Sequence, residues 1–226
     1  MPRRPISPPV AEALERLTDR TDRIVVMDTE TTGFGAQDRV VEIAMVTLDL
    51  RGRVVDRWAT LLDPGRDPGP THVHGITGEM LQGAPDFGTL APEIAARLHG
   101  AVVSAHNLPF DARMLRQEFD RYDVPVGDLR KGLDTLVPTR AKLHVACRAE
   151  GVLLQPNHHA LDDALATADL LLRILDRFET APEPVTLEGP VDAADRTRSW
   201  TRSGTAVDAD PSRLVAGWFR AAVDRS

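Results

Sequence analysis

The sequence predicts an α/β fold, a mixed sheet flanked by helices, on three observations. Three β-rich runs follow one another near the start; after Pro64 helical stripes and short strands alternate; and the firmest helical stripe comes last, at 160–177.

Residues 1–21 join a Pro-rich start to a short charged helical pattern (Val10, Ala13, Leu14, Leu17) and read as an appended helical arm. Arg23 to Asp28 is a β-rich run leading into the turn Asp28-Thr-Glu-Thr-Thr-Gly33. Val40–Leu48 and Val54–Leu62 follow, with Arg51-Gly52 as a hairpin-type turn, so the first three strands form an antiparallel meander. Thr77 is placed to cap a short helix through Met80 and Leu81, with Glu79 in its first turn.

Leu90, Ile94, Ala95 and Leu98 mark the next helix, and Ala101–Ala105 reads as a buried strand. A helix from about Phe110 to Tyr122 presents Phe110, Met114, Leu115 and Phe119 on one face. Leu133–Leu136 reads as a last strand, and helices are expected near 139–150 and 160–177, the latter carrying Leu161, Ala164, Leu165, Ala168, Leu171, Leu172 and Leu175. Pro182, Pro184 and Pro190 then mark a linker. The expected division is 1–21 as an arm, 22–180 as the main domain, and 181–226 as a linker with an amphipathic helix built on Leu214, Val215, Trp218, Phe219, Ala222 and Val223.

Composition narrows the classes. With 42% apolar and 27% charged residues among 226, the chain can bury a core, and wholesale disorder is excluded. No run approaches the roughly 18 apolar residues of a membrane span, and no apolar segment follows the basic N-terminus, so neither a membrane partner nor a signal peptide is expected. One cysteine, Cys147, excludes an intramolecular disulfide and a cysteine-built zinc site, which points to the cytoplasm. The formal charge of −7 argues against broad, non-specific grip on a polyanion.

Three groups of carboxylates carry chemistry. Asp28 and Glu30 end the first strand at positions i and i+2, hence on one side. Two such acids repel unless a cation lies between them, and a hard divalent ion with oxygen ligands answers that need; a simple polar turn answers the pattern equally well. Asp111, in His106-Asn-Leu-Pro-Phe-Asp111, falls in the first turn of a helix that Pro109 helps to start, where an acid also suits the helix dipole. Asp163 sits beside the apolar stripe of the closing helix, costly unless paired or bound to metal, with His158 five residues earlier. His72 and His74 resemble a zinc pair without a third ligand and read better as structural.

Together, Asp28-Thr-Glu30-Thr-Thr-Gly33, His106-Asn-x-x-Phe-Asp111 and His158-x-Ala-x-x-Asp163-Ala strongly resemble the DEDDh branch of the DEDD 3′→5′ exonucleases, closest to proofreading epsilon subunits of bacterial DNA polymerase III and their stand-alone relatives. The resemblance covers about residues 22–178, and Val73-His-Gly-Ile-Thr77 and Leu133-Asp-Thr135 agree with it.

It implies a ribonuclease-H-like fold and hydrolysis assisted by two divalent ions, Mg²⁺ or Mn²⁺. Asp28, Glu30 and Asp163 would hold one ion, and Asp28 with Asp111 the other. His158, selected over His159 by its interval to Asp163, would be the general base, neutral near pH 7–8 from a reference pKa of about 6.5. Backbone groups around Thr31 and Thr32 would bind the 3′-terminal sugar, and Phe34 would stack on the terminal base, with core packing as the other reading of that ring.

The implied partner is a nucleic-acid 3′ end, single-stranded or frayed DNA ahead of RNA. An RNA-directed enzyme of the same branch and a non-catalytic 3′-end-binding module are the alternatives. Residues 181–226, with six arginines against seven acids, are not a basic arm; they either dock a DNA polymerase or other replication or repair protein, or fold back on the domain.

Overall fold

The computed structural model describes residues 22–155 and 159–180. The expected arm at 1–21, His158 and the extension 181–226 lie outside the described residues.

Five strands form one sheet: β1 Arg23–Thr31, β2 Val40–Asp49, β3 Val54–Leu61, β4 Val102–Ala105 and β5 Gly132–Asp134, in spatial order β3-β2-β1-β4-β5. β1, β2 and β3 pair antiparallel, whereas β4 runs parallel to both β1 and β5. The expected meander and mixed sheet are therefore present. At the β2–β3 turn Gly52 takes φ +73° and donates to the Asp49 carbonyl at 2.9 Å.

The helices are α1 Thr71–His74, α2 Phe87–Leu98, α3 Leu108–Arg121, α4 Leu136–Thr139, α5 Leu143–Glu150 and α6 Ala160–Thr180. Three expectations need correction. The Thr77 segment makes only a turn: the Thr77 hydroxyl accepts from Met80 N at 3.3 Å, but no helix propagates, and the short helix lies earlier, at α1. The last strand stops at Asp134, because the Asp134 carboxylate accepts from Leu136 N at 2.9 Å and starts α4. The helix expected near 139–150 is broken by Arg140 in a left-handed conformation (φ +49°), leaving α4 and α5.

Side-chain alternation along β1 builds two cores. Ile24 and Val26 face α6, packing with Ala44, Val46, Leu48, Ala164, Ala168 and Leu171. Val25 and Met27 face α2 and α3, packing with Ile43, Met45, Phe87, Ile94, Met114 and Phe119. Ala160, Ala164 and Ala168, spaced by four and fully buried, let α6 lie close to the sheet. Each fully buried large aliphatic or aromatic side chain contributes about 1.5–3 kcal/mol, so both helical layers are firmly held.

Candidate active site

The same alternation continues into the polar end of β1. Asp28 and Glu30 share the side of Ile24 and Val26, toward α6; Thr29 shares the side of Val25 and Met27, toward α3. From α6, Asp163 completes a trio: ligand oxygens of Asp28, Glu30 and Asp163 lie within 4.8 Å of one another. Among the described residues no other group of three or more His, Cys, Asp or Glu side chains is drawn together in this way.

Asp111 approaches from the opposite layer. It is 3% exposed, in the first turn of α3, and accepts a 2.8 Å hydrogen bond from the Thr29 hydroxyl. It stands outside the 4.8 Å trio, yet its charge reaches Asp28 across the strand. Sequence spacing alone left Asp111 readable as a dipole-friendly acid at a helix N-terminus; it does lie in that first turn, but buried against Thr29 and the acids of β1.

Burial and crowding of like charges dominate the electrostatics. Burial first, then the Asp111, Asp163 and Glu30 charges, hold the Asp28 carboxyl well above the usual carboxylate range. Burial and the Asp163 and Glu42 charges push Glu30 up to about 8. Burial pushes Asp111 up to about 7, against the hydrogen bond from Thr29. Protons or cations must relieve such a cluster, and the donor set, oxygen only, suits a hard divalent ion.

Two supports of the site were not singled out in the sequence. Glu42 on β2 pairs directly with Glu30, and its Oε2 accepts from Ala160 N at 3.1 Å, capping the start of the helix that carries Asp163. Glu118 on α3 is fully buried and accepts from Arg39 Nε at 2.8 Å and Val40 N at 3.0 Å. Arg39 also donates to Pro64 O and to the Tyr122 hydroxyl, while Arg121 donates to Ala36 O and Asp38 O. This buried ion pair ties the turn after β1 to α3. Glu42 interrupts the apolar run Val40–Val46, and Glu118 falls on the helical stripe of Met114, Leu115 and Phe119; those are the signals that could have found them.

The turn itself is tightly bonded. Thr31 Oγ1 donates to Gly33 O at 2.9 Å, and Thr32 Oγ1 donates to Asp38 at 2.8 Å, so both hydroxyls are engaged within the turn. Gly69 presses on it: a Cβ there would fall 2.3 Å from Thr32 O. Phe34 is 78% exposed, its ring 5.6 Å from Phe110, which rules out core packing for that side chain.

The histidines divide by surroundings. His106 bonds Thr135 Oγ1 through Nδ1 and Ala141 O through Nε2, each at 2.9 Å, and burial pulls its pKa down to about 4. It is a neutral brace joining the ends of β4 and β5 to the loop before α5. His74 is buried, its Nδ1 accepting from Ile76 N at 3.0 Å, while His72 is exposed, in keeping with a structural use. Cys147 is a buried core thiol that burial, with the Asp163 charge, pushes up to about 11.

The sheet order and the acidic end of its central strand define a ribonuclease-H-like α/β domain. E. coli Exonuclease I in complex with a dT13 oligonucleotide superposes with a TM-score of 0.63 at 18% identity, over 71% of this chain and 42% of that one. A 3′-exonuclease described in 3′-end-specific recognition of a histone mRNA stem-loop gives 0.59 at 16% identity, over 69% of this chain and 64% of that one.

Residues 25–171 match the model of the exonuclease family, and the chain belongs to that family. It is 33% identical over 165 residues to a PolC-type DNA polymerase III from Thermotoga petrophila, covering 69% of this chain and 12% of that protein. To a DNA polymerase III subunit epsilon from Rickettsia conorii it is 31% identical over 178 residues, covering 70% of this chain and 76% of that protein. The chain thus spans only about an eighth of the PolC-type relatives. No helix among the described residues is long and apolar enough to cross a membrane.

Proposed function

We propose that the protein is a 3′→5′ exonuclease that hydrolyses the terminal phosphodiester bond of a nucleic acid and releases nucleoside 5′-monophosphates. The observation that carries this reading is the trio Asp28, Glu30 and Asp163, assembled from a strand and a distant helix beside buried Asp111 in a member of the exonuclease family. Asp28, Glu30 and Asp163 would hold one divalent ion and Asp28 with Asp111 a second, Mg²⁺ or Mn²⁺. Bound there, the ions would neutralise charge on the scissile phosphate and favour ionisation of water.

The chain's own residues do the rest. His158 takes the proton from the attacking water as the P–O bond forms, and the departing 3′-oxygen is protonated from solvent. Backbone groups around Thr31 and Thr32 hold the terminal sugar, in a turn that the two hydroxyls fix through Gly33 O and Asp38. Exposed Phe34, beside Phe110, supplies a face for the terminal base. Glu42 holds the start of α6 so that Asp163 meets β1.

DNA is the substrate we favour, because sequence relatives at 31–33% identity are DNA polymerase III proteins. A DNA polymerase or another replication or repair protein would then be a partner, docked through residues 181–226, and the protein would work in the cytoplasm. The RNA alternative rests on the likeness to the histone-mRNA 3′-exonuclease.

Purified protein incubated with 5′-labelled single-stranded DNA, frayed duplex and RNA in Mg²⁺, Mn²⁺ or EDTA tests the reading. Stepwise shortening from the 3′ end that stops in EDTA and in Asp28→Asn is expected. Shortening that persists in either refutes it. His158→Ala should slow hydrolysis far more than it weakens Mn²⁺ binding; equal loss of both would make His158 a ligand.

A further inference from the structure

We propose that Arg113 is a substrate-binding residue of this site, its guanidinium holding a backbone phosphate of the strand beyond the terminal linkage. The proposal rests on the exonuclease reading and adds to it the grip on the rest of the strand.

Three observations converge on Arg113. First, position: its guanidinium carbon lies 5.5 Å from the centre of the Phe110 ring, and Phe110 in turn lies 5.6 Å from Phe34. Contact therefore runs Phe34 to Phe110 to Arg113, starting from a ring that is 78% exposed. Phe110 and Arg113 are three residues apart and share a side of α3, while Asp111 between them turns inward to Thr29. One helical turn thus supplies an acid to the buried site and a row of ring and cation outside it.

Second, availability: among the described residues Arg113 makes neither a hydrogen bond nor an ion pair, whereas Arg39, Arg97 and Arg121 are all engaged. The acid nearest in its influence, Asp38, has already committed its carboxylate to the Thr32 hydroxyl (2.8 Å) and to Gly35 N (2.7 Å). The face of Phe110 orients the guanidinium and leaves its N–H fork unspent.

Third, complementarity: a chain of formal charge −7 with an acidic pocket needs local cations to hold a polyanion beside that pocket. A planar guanidinium matches two phosphate oxygens at once, and an ammonium does not. A single guanidinium–phosphate contact of this kind is worth roughly tenfold in affinity. It also carries a salt signature, because each neutralised phosphate of a single strand contributes a slope of about −0.7 to log affinity against log salt.

The test compares the full chain with Arg113→Ala and Arg113→Lys on two substrates in Mn²⁺. One is the p-nitrophenyl ester of thymidine 5′-monophosphate, which has no further backbone phosphate; the other is 5′-labelled single-stranded (dT)8. Arg113→Ala should lower kcat/KM on (dT)8 about tenfold more than on the ester, mainly through KM. The salt slope measured on (dT)8 should shrink by about 0.7, with Arg113→Lys restoring the slope but only part of the affinity.

Equal loss on both substrates, a lowered melting temperature, or an unchanged salt slope would make Arg113 structural and overturn the proposal. If the unaltered chain cleaves neither substrate, the exonuclease reading fails first. Fluorescence anisotropy of labelled (dT)8 then still reads Arg113: an unchanged Kd overturns it, a weakened one sustains it.

Discussion

Glu30→Gln should stabilise the metal-free protein while weakening its response to metal. The oxygens of the Asp28–Glu30–Asp163 trio lie within 4.8 Å of one another, so each ionised pair opposes folding by about 3.5 kcal/mol at an effective dielectric of 20. Partial protonation of the cluster and the partial exposure of Glu30 reduce what one substitution recovers, to roughly 1–3 kcal/mol. At about 2–4 °C per kcal/mol for a chain of this size, that is a rise of roughly 2–12 °C in Tm.

The sign follows from proton binding. Glu30 is pushed from 4.5 to about 8 in the folded state, so between those values the folded chain binds more protons than the unfolded one. Its contribution then erodes as pH rises from 4.5 through 8 and is flat above. Circular-dichroism melts in EDTA at pH 9 should therefore show the gain, and melts at pH 5, where Glu30 already carries its proton, should show almost none. With Mn²⁺ at pH 9 the order reverses, because the unaltered trio gains the ion. A Glu30→Gln variant no more stable than the parent in EDTA at pH 9 would refute the argument from crowded charge.

Glu118→Ala strips the acceptor from Arg39 Nε and Val40 N in a fully buried setting, and should cost about 3–5 kcal/mol by urea unfolding; less than 1 kcal/mol would mean the knot is not holding the turn. Glu42→Ala should cost about 1 kcal/mol and blunt the Tm gain on adding Mn²⁺, whereas Glu42→Gln, whose amide oxygen can still accept from Ala160 N, should recover most of the stability. Equal effects of the two would assign Glu42's role to charge instead. Gly69→Ala places a methyl 2.3 Å from Thr32 O at φ +88°, and should destabilise by at least about 1 kcal/mol and raise KM on single strands; an unchanged Tm would show that the turn yields freely.

Much of this was legible because it follows from periodicity. The two-residue repeat of β1 predicted that Asp28 and Glu30 share a side, and they do. The stripes of α2, α3 and α6 predicted the centre of each buried face (Ile94 and Leu98; Met114, Leu115 and Phe119; Ala164, Ala168, Leu171 and Leu175), while Leu90, Phe110, Leu161 and Leu165 lie at its half-buried edges. What escaped depends on partners remote in sequence. Asp111 and Thr29 are 82 positions apart, and neither spacing nor propensity says they meet. Glu42 and Glu118 were not singled out in the sequence, because what they hold, Ala160 N and Arg39, lies 118 and 79 positions away. The short-range failures have local causes: Thr77 binds Met80 N in a single turn, and left-handed Arg140 splits one expected helix into two.

The division of acids between two layers bears on how the protein behaves while it is being made. β1 leaves the ribosome early with Asp28 and Glu30, and α3 follows with Asp111, but the third carboxylate of the trio arrives only with α6, the last of the described elements. A nascent or truncated chain that ends before Asp163 carries acids without the enclosure that brings them together. Under the nuclease reading, such a fragment has no competent metal site and cannot hydrolyse a nucleic-acid end. Docking of α6, the last of the described elements in chain order, is then the point at which hydrolysis becomes possible.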